Sequence, residues 1–428
     1  MSASTPPPNA ARDAVLAGLA GVRPWQEDYY RNLHAHPELS HHEVETAEGV
    51  AMNLRADGFD VRQGVGGTGV VGVLHNGDGP TVLVRADMDA LPVTELTGLP
   101  YASEVVTEDA HGDAVSVMHA CGHDVHVTCL LGAARLLAAG RDHWAGTLVA
   151  LFQPAEETGD GAKQMVADGL TGLVPSIDVA MAQHVLAMPA GQVATKVGPV
   201  LAAADSMRIT VFGRGSHGSM PQASVDPVVL AAMIVVRLQT VVSRETRPGE
   251  PVVVTVGSLR AGTKSNVIAD RAVIELNVRT FSEASRTATL AAITRIVNAE
   301  CDASGSPEPA TFELFDQFPL TTNDESVTDR VATAFGEHFG PRALSIEAQS
   351  ASEDFSDLAV AYGVPYTYWG IGGTDPDLYD RALRAGRVAS DVPVNHSGYF
   401  APVIQPTLDT GTEALVVAAL AWLGLPEA

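Results

Sequence analysis

Fourteen histidines are scattered along this chain, and a few of them stand in company suited to metal chemistry. Met118 to His126 reads MHACGHDVH. Cys121 and His123 are two apart, so an extended segment would turn both side chains to one face. Thiolate and imidazole together suit Zn²⁺ or a neighbouring first-row ion, although one Cys-x-His pair fits an ordinary buried cysteine beside a loop histidine equally well. Gln153-Pro154-Ala155-Glu156-Glu157 sets adjacent carboxylates just past an apolar strand, where α/β enzymes build their sites. Metal-assisted hydrolysis wants such a pair: one carboxylate holds a cation, and the other takes a proton from the attacking water and returns it to the leaving amine. Taken alone, the pair also reads as a solvated loop. Asp87 and Asp89 end the run TVLVRA, His184 follows IDVAMA, and His396 lies in the turn-like PVNHSG. Strand ends that repeatedly deliver Asp, Glu or His are hard to ascribe to packing, because such groups are seldom buried without partners.

The elements that must hold these residues are read from periodicity. A helix is predicted from Ala11 to His36, stopped by Pro37. Ser40 with Glu43 three residues on is a capping-box pattern that starts a second helix. Gly69–Leu74, Thr81–Ala86, Gly146–Phe152 and Ile177–Ala182 are strand-like and mostly apolar, as strands buried on both faces should be. With a helix over Val125–Ala139 between them, they predict an α/β sheet. From about Pro199 the pattern changes. Strands at Met207–Phe212, Pro251–Ser258 and Ala272–Thr280 and helices at Asp226–Val242 and Glu283–Ala299 run in the order β-α-β-β-α, a small inserted α+β module. The expected division is 1–198 and 310–428 for an α/β domain and 199–309 for the insert. Val364–Trp369 is a further buried strand, and Thr407–Leu423 a closing helix. Met1–Ala10 is Pro-rich and expected to fray.

Composition narrows the function classes. A chain of 428 residues points to about two or three domains, and 46% hydrophobic with 18% charged residues allows a large core. A formal net charge of −25 repels phosphate backbones, so nucleic acid is not an expected partner. The cysteines, Cys121, Cys129 and Cys301, give no disulfide framework, which fits a cytoplasmic setting. The start of the chain shows no charged region followed by an apolar one, as a secretory signal would, and the run Ala414–Leu423 is too short to span a bilayer.

The string RADMDALP from Arg85 to Pro92, MHACGHD, QPAEE, Gln183-His184 and Asn395-His396 together resemble the aminoacylase and metallo-carboxypeptidase family, in the branch of hippurate hydrolases, auxin-conjugate hydrolases and bacterial N-acyl-amino-acid amidohydrolases. The resemblance runs from about Tyr30 to Leu423. It implies an α/β catalytic domain holding two divalent metal ions (Zn²⁺ foremost, Mn²⁺ or Co²⁺ next) and an inserted α+β, ferredoxin-like lid through which the chain forms a homodimer. It implies Cys121, His123, Glu157, His184 and His396 as metal ligands, Glu156 as general base and acid, and Asp89 as the residue that orients a ligand histidine. The family at large has a His where this chain has Asp87 and a bridging Asp where it has Cys121. Both departures are typical of the branch, with His123 supplying the missing imidazole, and the thiolate leaves the preferred metal open. His217, in GRGSHGSMP, resembles the lid histidine that supports the scissile carbonyl in the partner's site. Asn266 and Arg279 resemble contacts to the substrate carboxylate; a plain sheet-surface charge would also account for Arg279. Gly370, in the run GIGG, resembles a loop whose N–H groups approach the substrate.

The implied reaction splits an N-acyl-L-amino acid into a carboxylic acid and a free amino acid. A metallo-dipeptidase, carboxypeptidase or deacetylase would use the same machinery. A catalytically dead binding dimer is opposed by the intact Glu156 and ligand set, and a phosphate-handling protein by the absence of a GxxxxGK[ST] loop. Outside this set, His34, His36, His41 and His42 read as solvated or capping residues, Cys129 as core, and His126 as a core histidine or a support for the ligands.

Overall fold

The computed structural model describes residues 8–109, 112–174 and 176–424, so most of the Pro-rich start lies outside the described residues. The chain divides into two compact units. Unit 1 comprises Met1–Val200, Thr322–Glu347 and Asp354–Ala428; unit 2 comprises Leu201–Thr321 and Ala348–Glu353.

Unit 1 is built on an eight-stranded mixed sheet. Its order from one edge is Asp60–Val65, Gly69–Asn76, Gly146–Gln153, Thr81–Asp87, Val179–Pro189, Tyr366–Thr374, Val193–Thr195 and Ala343–Ser345. The four strands in the middle of that order, 146–153, 81–87, 179–189 and 366–374, run parallel. Every residue of Thr81–Asp87, Gly146–Gln153 and Tyr366–Thr374 is buried, which explains why they are mostly apolar, with the charged Arg85 and Asp87 paired to each other. Helices Leu19–Ala35, His123–Ala139 and Ile404–Leu420 pack on one another. Val127, Leu130, Leu131, Leu415 and Val416 are buried in the same core cluster as the sheet residues Val82 and Val84.

Several boundaries differ from expectation for local reasons. The first predicted helix is two, Pro8–Leu16 and Leu19–Ala35, parted at Ala17-Gly18, where glycine costs helix stability. The capping box does not form. The helix begins at Val44 with Glu43 as its N-cap residue, and no side chain caps it, because Ser40 and Glu43 are both bonded elsewhere. His184 lies inside the strand Val179–Pro189, not at its end. That strand outruns the apolar IDVAMA because parallel pairing continues past it, with Gly370 opposite His184. GIGG is correspondingly strand, not loop. A Cβ on Gly370 would come within 2.5 Å of Leu186 Cδ1, so close strand packing also accounts for a glycine there.

Unit 2 carries a four-stranded antiparallel sheet, ordered Val252–Ala261, Arg271–Thr280, Ala203–Phe212, Thr311–Phe318. The last strand lies in the stretch after Pro309 that the sequence assigns to the α/β domain. Buried and part-buried residues alternate along Arg271–Thr280, the period expected of a sheet with one covered face. Helices Pro227–Thr240 and Glu283–Ser304 supply the cover, through Leu230, Ile234, Leu238, Ile293, Ile296 and Val297. Among the described residues, one helical stretch, Pro227–Glu245, is long and apolar enough to cross a membrane by length and composition alone. Its inner face is part of this core, while Val228, Val229, Met233 and Val236 are exposed.

Candidate metal centre

The site of unit 1 is assembled where the parallel strands end. Cys121 precedes Gly122, which takes a left-handed φ of 86°, and His123 is already the first residue of the helix His123–Ala139. The segment is therefore a tight turn into a helix, not the extended stretch that Cys-x-His suggested. A Cβ at Gly122 would collide with Val185 Cγ1, so glycine is required there on two counts. The turn still brings the pair together. Cys121, His123 and His184 form one group whose ligand atoms all lie within 4.8 Å of one another, and Cys121, Glu157 and His396 form a second. Cys121 Sγ is 3.4 Å from His184 Nε2, and His396 Nε2 is 3.3 Å from Glu157 Oε1. His123 Nε2 is 3.9 Å from a carboxylate oxygen of each of Glu156 and Glu157. Five candidate donors thus make two triads that share the thiol, with Glu156 beside them.

The backbone under Glu156 and Glu157 is pinned by carboxylates from elsewhere. Asp89 Oδ1 accepts from Glu156 N at 3.2 Å and Asp89 Oδ2 from Glu157 N at 3.0 Å. Glu43 Oε1 accepts from Ala155 N at 2.8 Å, and Ser40 Oγ donates to Asp89 Oδ2 at 2.6 Å. Ala155 holds φ at 52°, an uncommon conformation for a residue with a side chain, so this bonding stabilises a strained turn. His123 Nδ1 lies 2.8 Å from the carbonyl oxygen of Asp89 and 3.3 Å from its Oδ1. Its proton therefore sits on Nδ1, and Nε2 turns to the centre. His396, itself at φ 69°, is fixed by its N–H donating to Ala120 O at 2.8 Å, while neighbouring Asn395 donates to the carbonyls of Cys121 and Val185 at 3.0 and 3.1 Å.

The electrostatics of the site suit cations. His123 Nε2 and Glu157 Oε1 are buried with no hydrogen-bond partner, a costly state that a cation between them relieves. Burial pushes the Cys121 thiol well above its ordinary range, helped by Glu157, Glu156 and Asp87, so a thiolate here requires a compensating positive charge. His184 is driven well below its usual value, first by burial and then by His126, which leaves a neutral imidazole ready to bind. Burial also opposes charge on His123, but Asp87 and Asp89 outweigh it and raise this group to about 10; a bound cation must displace that proton. The donor set, with its unsatisfied atoms and shared thiol, fits two divalent ions. Asp87 is differently occupied: Arg85 donates to its Oδ2 at 2.6 Å, so it stands as a paired buried charge.

The remaining candidates lie in unit 2. His217 and Val267 are paired across a two-stranded ribbon, Ser216–His217 with Val267–Ile268, and Gly218 N donates to Asn266 O at 2.8 Å. His217 and Asn266 are thus neighbours within this unit, beside a cavity of about 740 Å³ lined in part by His217, Gly262 and Arg271. Ser219 N donates to His217 Nδ1 at 3.1 Å, which puts the proton of the neutral ring on Nε2, free to donate. Arg279 is half-buried and donates to Ser350 O at 2.6 Å and Ser352 Oγ at 3.2 Å.

Sequence reasoning missed Glu43 and Ser40, whose apparent capping role hid their bonds to the Ala155–Glu157 turn and to Asp89. It also misplaced His34, which is fully buried between Asp124 Oδ2 at 2.7 Å and Glu95 Oε1 at 3.2 Å. Burial opposes its protonation, yet those two carboxylates raise it to about 10. His36 does act near a helix end, with Nδ1 2.8 Å from Asn32 O.

Residues 83–382 match the model of peptidase family M20/M25/M40. The chain is 38% identical to the hippurate hydrolase of Campylobacter jejuni, over 77% of this chain and 83% of that protein. It is 36% identical to thermostable carboxypeptidase 2 of Saccharolobus solfataricus, over 78% and 83% of the respective chains. The crystal structure of the YXEP protein of Bacillus subtilis, described as a dinuclear metal binding peptidase of the M20 family, superposes with a TM-score of 0.74 at 28% identity and covers 94% of this chain and 98% of that one.

Proposed function

The chain belongs to peptidase family M20/M25/M40 and is a hydrolytic enzyme of its amidohydrolase kind with a dinuclear metal site; from that premise we propose that it cleaves N-acyl-L-amino acids into a carboxylic acid and a free amino acid. The observation that carries this reading is the pair of donor triads sharing Cys121, with Glu156 held beside them.

In this reading two divalent ions, zinc foremost and manganese or cobalt next, supply Lewis acidity and a lowered pKa for the attacking water. Cys121 is shared, His123 and His184 complete one donor set, and Glu157 and His396 complete the other. Glu156 takes the proton of the water as it attacks the amide carbonyl, then passes it to the departing nitrogen. Asp89 acts twice: it fixes the ring of His123 and, with Glu43, the turn that carries Glu156. The Nε2–H of His217 supports the developing oxyanion, and Asn266 and Arg279 receive the carboxylate of the amino acid. The test is a panel of acetyl, benzoyl, indoleacetyl and long-chain acyl conjugates of several amino acids, run beside dipeptides. Higher kcat/KM on the acyl conjugates is expected. Preference for dipeptides or C-terminal residues would move the assignment to the carboxypeptidase reading that the Saccharolobus relative's name suggests.

We further propose a homodimer through unit 2, with His217 serving the partner's centre. Val228, Val229, Met233 and Val236 form an exposed apolar helix face, and Val252–Ala261 is an edge strand of the unit's sheet; soluble proteins seldom leave either uncovered. Inactive Glu156→Gln and His217→Ala chains, co-expressed, should then complement each other. Random pairing makes about half the dimers hybrid, each with one of its two sites intact, so about a quarter of wild-type activity is expected. An inactive hybrid, purified through two different tags, overturns action in trans.

A further inference from the structure

His126 is buried three residues beyond His123 on the same helix, and both its ring nitrogens are engaged. Val185 N donates to His126 Nε2 at 2.8 Å. An amide N–H needs a lone pair, so Nε2 is unprotonated and the proton lies on Nδ1. That proton is directed at Asp87 Oδ1, 2.5 Å away. Asp87 is held in turn by Arg85 at 2.6 Å, and Arg85 Nε by Gln153 Oε1 at 2.9 Å. Gln153 Nε2 donates to Asp354 Oδ1 at 2.6 Å, and Asp354 Oδ2 accepts from Ala162 N at 3.0 Å. A buried polar chain thus runs across the ends of the central strands to the N–H of Val185, in the peptide that joins His184 to Val185.

That peptide is the main chain of a candidate ligand, His184, and the next peptide along holds its ring. The carbonyl of Val185 accepts from His184 Nδ1 at 2.8 Å and from Asn395 Nδ2 at 3.1 Å. The ring of His126 also stands edge-on against that of His184, with centroids 4.5 Å apart at 72°. Asp87, His123 and His126 lie close enough together to hold an ion. With the Nε2 lone pair of His126 taken by an amide and Asp87 tied to Arg85, that group is not a third metal site.

We propose that His126 is a positioning residue of the dinuclear centre: it accepts from the Val185 N–H, fixes the His184–Val185 peptide from which the His184 side chain departs, and so aims His184 Nε2 at the position shared with Cys121 and His123. The proposal rests on the metal-centre reading above but not on any substrate. Its consequence is selective. The cation served by Cys121, His123 and His184 depends on His126, and the one served by Glu157 and His396 does not.

The experiment titrates Co²⁺ into chelator-stripped full-length protein and follows the thiolate and d–d absorption bands, for the parent and for His126→Leu, His126→Asn and His126→Gln. A Gln amide reaches the position of Nε2 and can accept from Val185 N, whereas an Asn amide reaches only the position of Nδ1. Leu and Asn should weaken one of two cation-binding steps by about 10–100-fold and leave the other in place, and Gln should restore most of the loss. If the Leu variant fails to fold, the Asn and Gln pair carries the comparison. Unchanged binding in Asn overturns the proposal, and so does a loss in Gln as large as in Asn, which would make His126 a ligand or a packing group. A parent that takes up no Co²⁺ overturns the metal-centre reading and this proposal with it.

Discussion

A Glu156→Gln enzyme is expected to keep its metals and its affinity for substrate while kcat falls by about 10²–10⁴-fold, the usual range for removing a general acid–base group. The substitution is nearly isosteric. The backbone bond from Glu156 N to Asp89 does not involve the side chain, so the turn should persist. Glu157→Gln should behave differently. Its carboxylate lies in the triad with Cys121 and His396, and the loss should appear first as reduced metal content and only then as reduced rate. Steady-state kinetics with metal analysis of both variants makes the check. A Glu156→Gln enzyme within threefold of the parent, or a Glu157→Gln enzyme that is slow but fully loaded, would reverse the two assignments.

Stripping the protein with a chelator should abolish turnover, and adding back Zn²⁺, Mn²⁺ or Co²⁺ should restore it. Full activity in rigorously metal-free protein would sink the mechanism. The shared thiol makes the order of restoration informative. In Cys121→Ser a hydroxyl replaces a soft thiolate, so preference should shift from Zn²⁺ towards harder ions such as Mn²⁺. The stripped protein should also bind protons that the loaded one does not, because Cys121 stays protonated among the carboxylates and His123 holds its proton to about 10. Metal uptake should therefore release protons and tighten as pH rises. An unchanged metal order in Cys121→Ser would count against the thiol as a donor.

The sequence made the core strands legible because burial on both faces leaves a mostly apolar run, as in Thr81–Val84 and Gly146–Phe152. It also made the candidate donors legible, since chemistry dictates their types. What it hid was direction. Cys121 and His123 were expected to meet along an extended segment; they meet because Gly122 adopts a left-handed turn, a conformation that glycine permits but does not announce. Ser40 and Glu43 matched a local capping pattern, yet their partners, Asp89 and Ala155, lie far along the chain, and local propensity carries no information about such contacts. His34 looked solvated for the same reason: what makes it buriable is Asp124 and Glu95, and neither is its neighbour in sequence.

The five candidate donors are written into the chain far apart. Cys121 and His123 come first, Glu157 and His184 follow, and His396 comes only after the whole of unit 2 has been spelled out. During synthesis the residues of the Cys121–His123–His184 triad are therefore all made while the Glu157–His396 position still lacks a donor. Loading must end late, and it closes a long stretch of chain when it does. Cations that bind only the finished arrangement stabilise the folded state over all partial ones by mass action. With the proposed ligand set, metal supply would act on how much native enzyme accumulates, and not only on how fast each molecule turns over.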